Sequence, residues 1–99
     1  MQMGGLSLHK SDQSNEYLLT FTSVYKAMHA GDQLRRYGIV SAVERIPAGL
    51  SQSCGHGLHV KREDLRRTLG ILNESGIHPR KVFEILLVHG RKEYKQVKP

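Results

Sequence analysis

Ninety-nine residues with 38% hydrophobic and 24% charged content match an ordinary water-soluble chain with one core, which rules out a fibrous or largely disordered polypeptide. No apolar run approaches the ~18 residues of a membrane helix and no signal-peptide-like stretch opens the chain; with one cysteine an internal disulfide framework is also excluded. The net charge of +6 admits anionic partners.

The expected location is the cytoplasm, where a free thiol is tolerated. The charge is unevenly spread. Beyond Gly76 stand Arg80, Lys81, Arg91, Lys92, Lys95 and Lys98 against Glu84 and Glu93. Much of the excess therefore sits near the C-terminus, where residues 89–99 are expected to form a basic tail, rather than around a recognition helix.

In chain order, residues 1–15 are polar and carry no period, so a loosely ordered N-terminal segment is expected. Glu16 to Phe21 is a short β-branched and aromatic run and predicts a buried strand. Thr22 or Ser23 can cap the helix that follows. Val24, Ala27, Met28, Gly31, Leu34 and Tyr37 fall three and four apart, which predicts one buried helix face. Gly38 supplies a left-handed stop. Ile39 to Ile46 predicts a second strand, ended by Pro47.

After the small-residue loop 48–55, Leu58 and Val60 alternate with His59 and Lys61, a third strand. Glu63 to Ser75 predicts a second helix with Leu65, Leu69 and Leu72 inward and Ile71 beside them. Its acidic first turn, Glu63 and Asp64, suits the helix dipole. Gly76 stops it, and Val82 to Val88 is a fourth strand. The halves echo each other, with Tyr37-Gly38-Ile39 answered by Ser75-Gly76-Ile77. Two such βαβ units interleave into an α+β, ferredoxin-like domain over residues 16–88: a four-stranded antiparallel sheet, βαββαβ, with both helices on one face. There the fourth strand is an edge. Its apolar sequence VFEILLV predicts either shielding by the tail or a homo-oligomer paired through residues 82–88.

The candidate site is Cys54, at the mouth of the third strand, with Ser53, Gly55 and His56 as supporting neighbours. Gly55 removes bulk beside the sulfur and leaves backbone amides accessible. A thiolate is the reactive form, and a cation or donated hydrogen bond lowers a thiol pKa near 8.5. Free cysteines are also often small buried hydrophobes, so an inert thiol stays open. Cys54, His56 and His59 have ligand chemistry suited to zinc or copper(I), but strand alternation turns His59 to the other face. A Cys54–His56 hydrolytic dyad lacks an oxyanion partner and the geometry to work from a single strand. No P-loop, dinucleotide fingerprint or nucleophile elbow occurs.

Tyr17-Leu18-Leu19-Thr20-Phe21, the Gly38-Ile39 exit, Leu50-Ser51-Gln52-Ser53-Cys54-Gly55 and Leu72-Asn73-Glu74-Ser75-Gly76-Ile77 together resemble a small bacterial family of selenium/sulfur carrier-like proteins. The resemblance covers roughly Glu16 to Ile85, and the Ser-Cys-Gly step before a strand is its most specific part. It implies a group-transfer carrier rather than a complete enzyme. Cys54 would hold sulfur or selenium as a persulfide and exchange it with donor and acceptor proteins. With no second cysteine, nothing resolves such a persulfide into an internal disulfide. The basic tail would dock an acidic donor.

The alternative is a ferredoxin-like binding or regulatory module for a small ligand, protein partner or nucleic acid, with an incidental thiol. Neither reading calls for a cofactor, a metal or a membrane. Nucleic acid is disfavoured because Tyr17, Phe21, Tyr25, Tyr37, Phe83 and Tyr94 lie mostly on expected core stripes, whereas sheet-based RNA readers stack bases on open-face aromatics.

Overall fold

A short, nearly continuous apolar run builds the first strand, β1 (Glu16–Phe21), whose last four residues are all buried, on both faces of the sheet. The computed structural model describes residues 16–47, 49–50 and 55–98; the N-terminal segment 1–15 and the pair Ser53 and Cys54 lie outside them. Ser23, extended at φ −147°, ends the strand and starts α1 (Val24–Arg36), its hydroxyl accepting from the Lys26 amide at 3.2 Å. That bond satisfies one of the amides a helix start leaves without an internal partner. Arg35 and Arg36 complement the negative end of the dipole.

Gly38, at φ +77°, reverses the chain, and the Ile39 amide bonds back to the Leu34 carbonyl at 3.0 Å. Ile39 thus still belongs to the helix stop. Strand pairing begins later than the sequence suggests, with β2 at Ser41–Arg45. The second half repeats the device: Gly76 at φ +74° and an Ile77 amide bonded to the Leu72 carbonyl at 2.8 Å. Between these stops lie β3 (His56–Lys61), a 3-10 turn (Arg62–Asp64) and α2 (Leu65–Glu74).

β4 (Lys81–Val88) and β5 (Arg91–Val97) complete a five-stranded sheet in the order β2-β3-β1-β4-β5, every neighbouring pair antiparallel. The first four strands and two helices form the ferredoxin-like α+β arrangement, with both helices on one face. Residues expected to trail away as a basic tail instead turn at His89-Gly90. Both have positive φ, 51° and 77°, and Val88 pairs directly with Arg91. A two-residue loop with both φ positive has the twist that a hairpin requires.

β4 is therefore paired on both sides. This corrects the expectation of a homo-oligomer through residues 82–88: that strand is not an edge, and its ladder groups are already bonded to β1 and β5. The shielding expected of the tail is what is found. The outer strands are β2 and the strongly charged β5.

The helix-facing core gathers Leu19, Phe21, Leu58, Val60 and Val82 from the sheet with Ala27, Ala30, Leu34 and Leu72 from the helices. Burial of so many aliphatic side chains is the main stabilising term, at roughly 1.5–3 kcal/mol for each large one. α1 is rotated relative to the expected stripe. Ala30 is sealed, while Met28 and Tyr37 are about half exposed at 51% and 55%. Small residues at 27, 30 and 31 let the helix lie close to the sheet, so its contact line runs through them and the larger side chains sit at its margins. In α2, Leu72 is joined by fully buried Thr68, while Leu65, Leu69 and Ile71 are partly buried.

Candidate functional site

The loop between β2 and β3 is closed at its base. The Ile46 amide donates to the Gly55 carbonyl at 3.1 Å, continuing the β2–β3 ladder by one rung. Gly55 is buried. A Cβ on it would lie 2.8 Å from Ile46 Cδ1 and 3.1 Å from the Phe21 carbonyl oxygen. The chain at this point lies close between the Ile46 side chain and the end of β1, and a side chain here would have to displace Ile46 Cδ1 and crowd the Phe21 carbonyl. Gly55 thus holds the strand-side end of the segment that contains Cys54 and Ser53, whose own placement lies outside the described residues.

His56 follows at the first position of β3, partly buried. It stands opposite Phe21 on β1 and Arg45 on β2, on the face that carries the helices. His59 lies on the other face, as strand alternation predicts, so these two imidazoles do not converge. Among the described residues no group of three His, Cys, Asp or Glu side chains is placed to hold a metal ion.

His59 instead joins a carboxylate arrangement that spacing along the chain does not reveal. Its Nδ1 lies 2.8 Å from Glu44 Oε2 on β2 and 3.7 Å from Glu16 Oε1 on β1. Its Nε2 is buried without a hydrogen-bond partner among the described residues. The cross-strand registers Ala42↔His59 and Leu18↔His59 create this neighbourhood by setting both acids one diagonal step away.

The face away from the helices is not bare. Leu18, Phe83 and Ile85 form a second buried cluster, with Leu50 and Tyr94 packed against it. Leu50, in the β2–β3 loop, therefore reaches back over the sheet, and Tyr94 of β5 closes the other side. Gly57 makes the arrangement possible: a Cβ there would lie 2.7 Å from Leu18 Cδ1 and 2.8 Å from the Leu19 carbonyl oxygen. A shallow cleft of 520 Å³ opens elsewhere, lined by Glu16, Lys61, Arg62 and Glu63. It sits at the far end of β3, about 17–20 Å from Gly55 at the usual strand rise.

Among the described residues no helix is long and apolar enough to cross a membrane. No curated protein matches the chain. A crystal structure of a functionally unknown protein from Pediococcus pentosaceus ATCC 25745 is similar with a TM-score of 0.45 and 13% identity, over 88% of this chain and 85% of that one. A family model matches residues 16–84, the stretch from the start of β1 into β4 that includes the Ser-Cys-Gly step, and leaves β5 outside. By that match the chain belongs to the family described as "Putative Se/S carrier protein-like".

Proposed function

We propose that the chain carries one sulfur or selenium atom on Cys54 and passes it between proteins. In loading, the Cys54 thiolate attacks the terminal sulfur of a donor persulfide. A new S–S bond forms on Cys54, the donor's S–S bond breaks, and the donor cysteine leaves as a thiolate that takes up the proton Cys54 gave away. Delivery is the same exchange in reverse, with an acceptor nucleophile attacking the outer atom and Cys54 leaving. No net oxidation occurs in either step. Selenium would travel likewise as the outer atom of a Cys–S–Se group.

The observation that carries this reading is the family match across residues 16–84, within which the chain's one cysteine stands beside Gly55. Support comes from the tight seat of Gly55 between Ile46 and the Phe21 carbonyl, which gives the segment bearing the thiol a fixed anchor. Ser53 and His56 are the neighbours on either side of the Cys54–Gly55 pair. A sheet-face nucleic-acid reader has less support, because Phe83 on that face is only 5% exposed and lies beneath Leu50 and Tyr94.

The test is intact-mass spectrometry after incubation with a cysteine desulfurase and free cysteine. Wild-type protein is expected to gain the mass of one sulfur atom, lost again on treatment with a reductant, and Cys54→Ser to gain none. A wild-type protein that stays unmodified while a control carrier loads in the same tube removes the proposal.

A further inference from the structure

The antiparallel pairings bring one set of strand ends together. β1, β2 and β5 finish where β3 and β4 begin, as the pairs Arg45↔His56, Phe21↔His56, Thr20↔Lys81 and Val82↔Val97 require. This is the end at which Gly55 is seated. Arg45, Arg80, Lys81 and Lys98 lie here, all exposed, and Arg80 is fastened by its amide to the Thr20 carbonyl at 2.8 Å. The exposed Lys26, in the first turn of α1, is on the same side.

Among the described residues these cations have no carboxylate partner. Among the described residues the Arg–carboxylate pairs are Arg35–Asp32 and Arg67–Asp64, both within helical segments. Glu44, beside Arg45 in sequence, has its carboxylate turned to His59. Glu74, at the end of α2, is the one described acid that the topology brings near. The opposite end is mixed, with Glu16, Glu63 and Asp64 among its cations. Nor is the C-terminal strand a patch by itself: Arg91 and Lys92 lie at that opposite end and Lys95 in mid-strand, so only Lys98 reaches the Gly55 end.

We propose that this basic end is a docking surface for an acidic patch on a partner protein. The identity of that partner as a sulfur or selenium donor or acceptor rests on the carrier reading above; the surface itself does not. Five strands at about 4.8 Å spacing set Arg45 and Lys98 about 19 Å apart, the width of a small protein footprint. That separation exceeds the Debye length of about 8 Å at physiological salt. Arg45 is therefore screened from Lys98, whereas Arg80 and Lys81 are adjacent and Lys98 directly follows β5, the strand next to that of Lys81, so binding is strongest against several carboxylates spread over a matching width. A protein surface fits better than nucleic acid because the sheet face offers no open aromatic among the described residues, Phe83 being covered and Tyr94 packed against Leu18 and Ile85. The exposed aromatic at this end is Tyr25, beside Lys26 on α1, a single ring rather than a row on which successive bases stack.

Fluorescence anisotropy of a labelled decaglutamate peptide with the full-length chain tests the surface. Wild-type protein is expected to bind, with affinity falling as salt rises from about 20 to about 150 mM. The variant R45Q/K81Q/K98Q should lose about fivefold or more, and the control R62Q/R66Q/R91Q, with the same change in net charge, less than about twofold. Circular dichroism melts check that both variants are folded. Three results overturn the proposal: no binding by wild type, equal losses in the two variants, or tighter binding of a decathymidylate than of the peptide. Persulfide formation with inorganic polysulfide, read by mass in the same proteins, keeps the two ideas apart. Loss of the Cys54 adduct with peptide binding intact sinks the carrier reading alone. A normal adduct with peptide binding undiminished in R45Q/K81Q/K98Q sinks the docking surface alone.

Discussion

Replacing Gly57 by alanine adds one methyl group in the middle of the sheet, and the structure says where it goes. The new carbon would sit 2.7 Å from Leu18 Cδ1 and 2.8 Å from the Leu19 carbonyl oxygen, well inside the 3.5–4.0 Å of a favourable carbon contact. Leu18 cannot swing clear, because it is 1% exposed and wedged with Phe83 and Ile85. The Leu19 oxygen belongs to the β1–β3 ladder and moves only if that ladder moves. Overpacking of a closed site costs typically 1–3 kcal/mol. With a backbone atom as one of the two obstacles, about 2 kcal/mol is expected, a fall in Tm of about 8–16 °C for a domain of this size.

Gly70→Ala is the internal control. Gly70 lies in α2 with nothing within 4 Å of its would-be Cβ, and the same substitution there should stabilise by about 0.5–1 kcal/mol. Urea unfolding followed by circular dichroism, with equal m-values, measures both. A Gly57→Ala protein within about 0.5 kcal/mol of wild type would refute the steric reasoning.

Ser23→Ala removes the hydroxyl that accepts from the Lys26 amide and should cost about 1 kcal/mol in the same unfolding assay; no change would mean that the cap contributes nothing to α1. Removing residues 90–99 strips β5 from β4 and takes Tyr94 and Val97 out of the two clusters. The apolar edge so exposed is expected to self-associate in size-exclusion chromatography with light scattering. A soluble monomer would show that β4 needs no cover.

Much of the fold was legible because its signals are local. Ser23 caps through its own hydroxyl, Gly38 and Gly76 each supply a positive φ that other residues resist, and the inward-facing Leu19, Phe21, Leu58 and Val60 obey the strand period. The candidate site was legible only at its margins. Gly55 and His56 stand at the start of β3 as their spacing implies, but the Glu44–His59–Glu16 arrangement depends on register between three strands, and no pattern within one strand encodes register.

β5 escaped a periodic reading because its two apolar residues, Tyr94 and Val97, are three apart and therefore face opposite sides of the sheet, each joining a different cluster. The His89-Gly90 pair between two strand-length segments was the available hairpin signal. Steric and hydrogen-bonding preferences that act over three or four residues thus set the elements and their order from the chain alone. Three things came only with the assembled sheet: the rotation of α1, the pairing of the C-terminal residues with β4 as a fifth strand, and the gathering of Arg45, Arg80, Lys81 and Lys98 at one end. Each joins residues far apart in the chain, and burial and Coulomb energy depend on distance in space, which is set once the strands have paired.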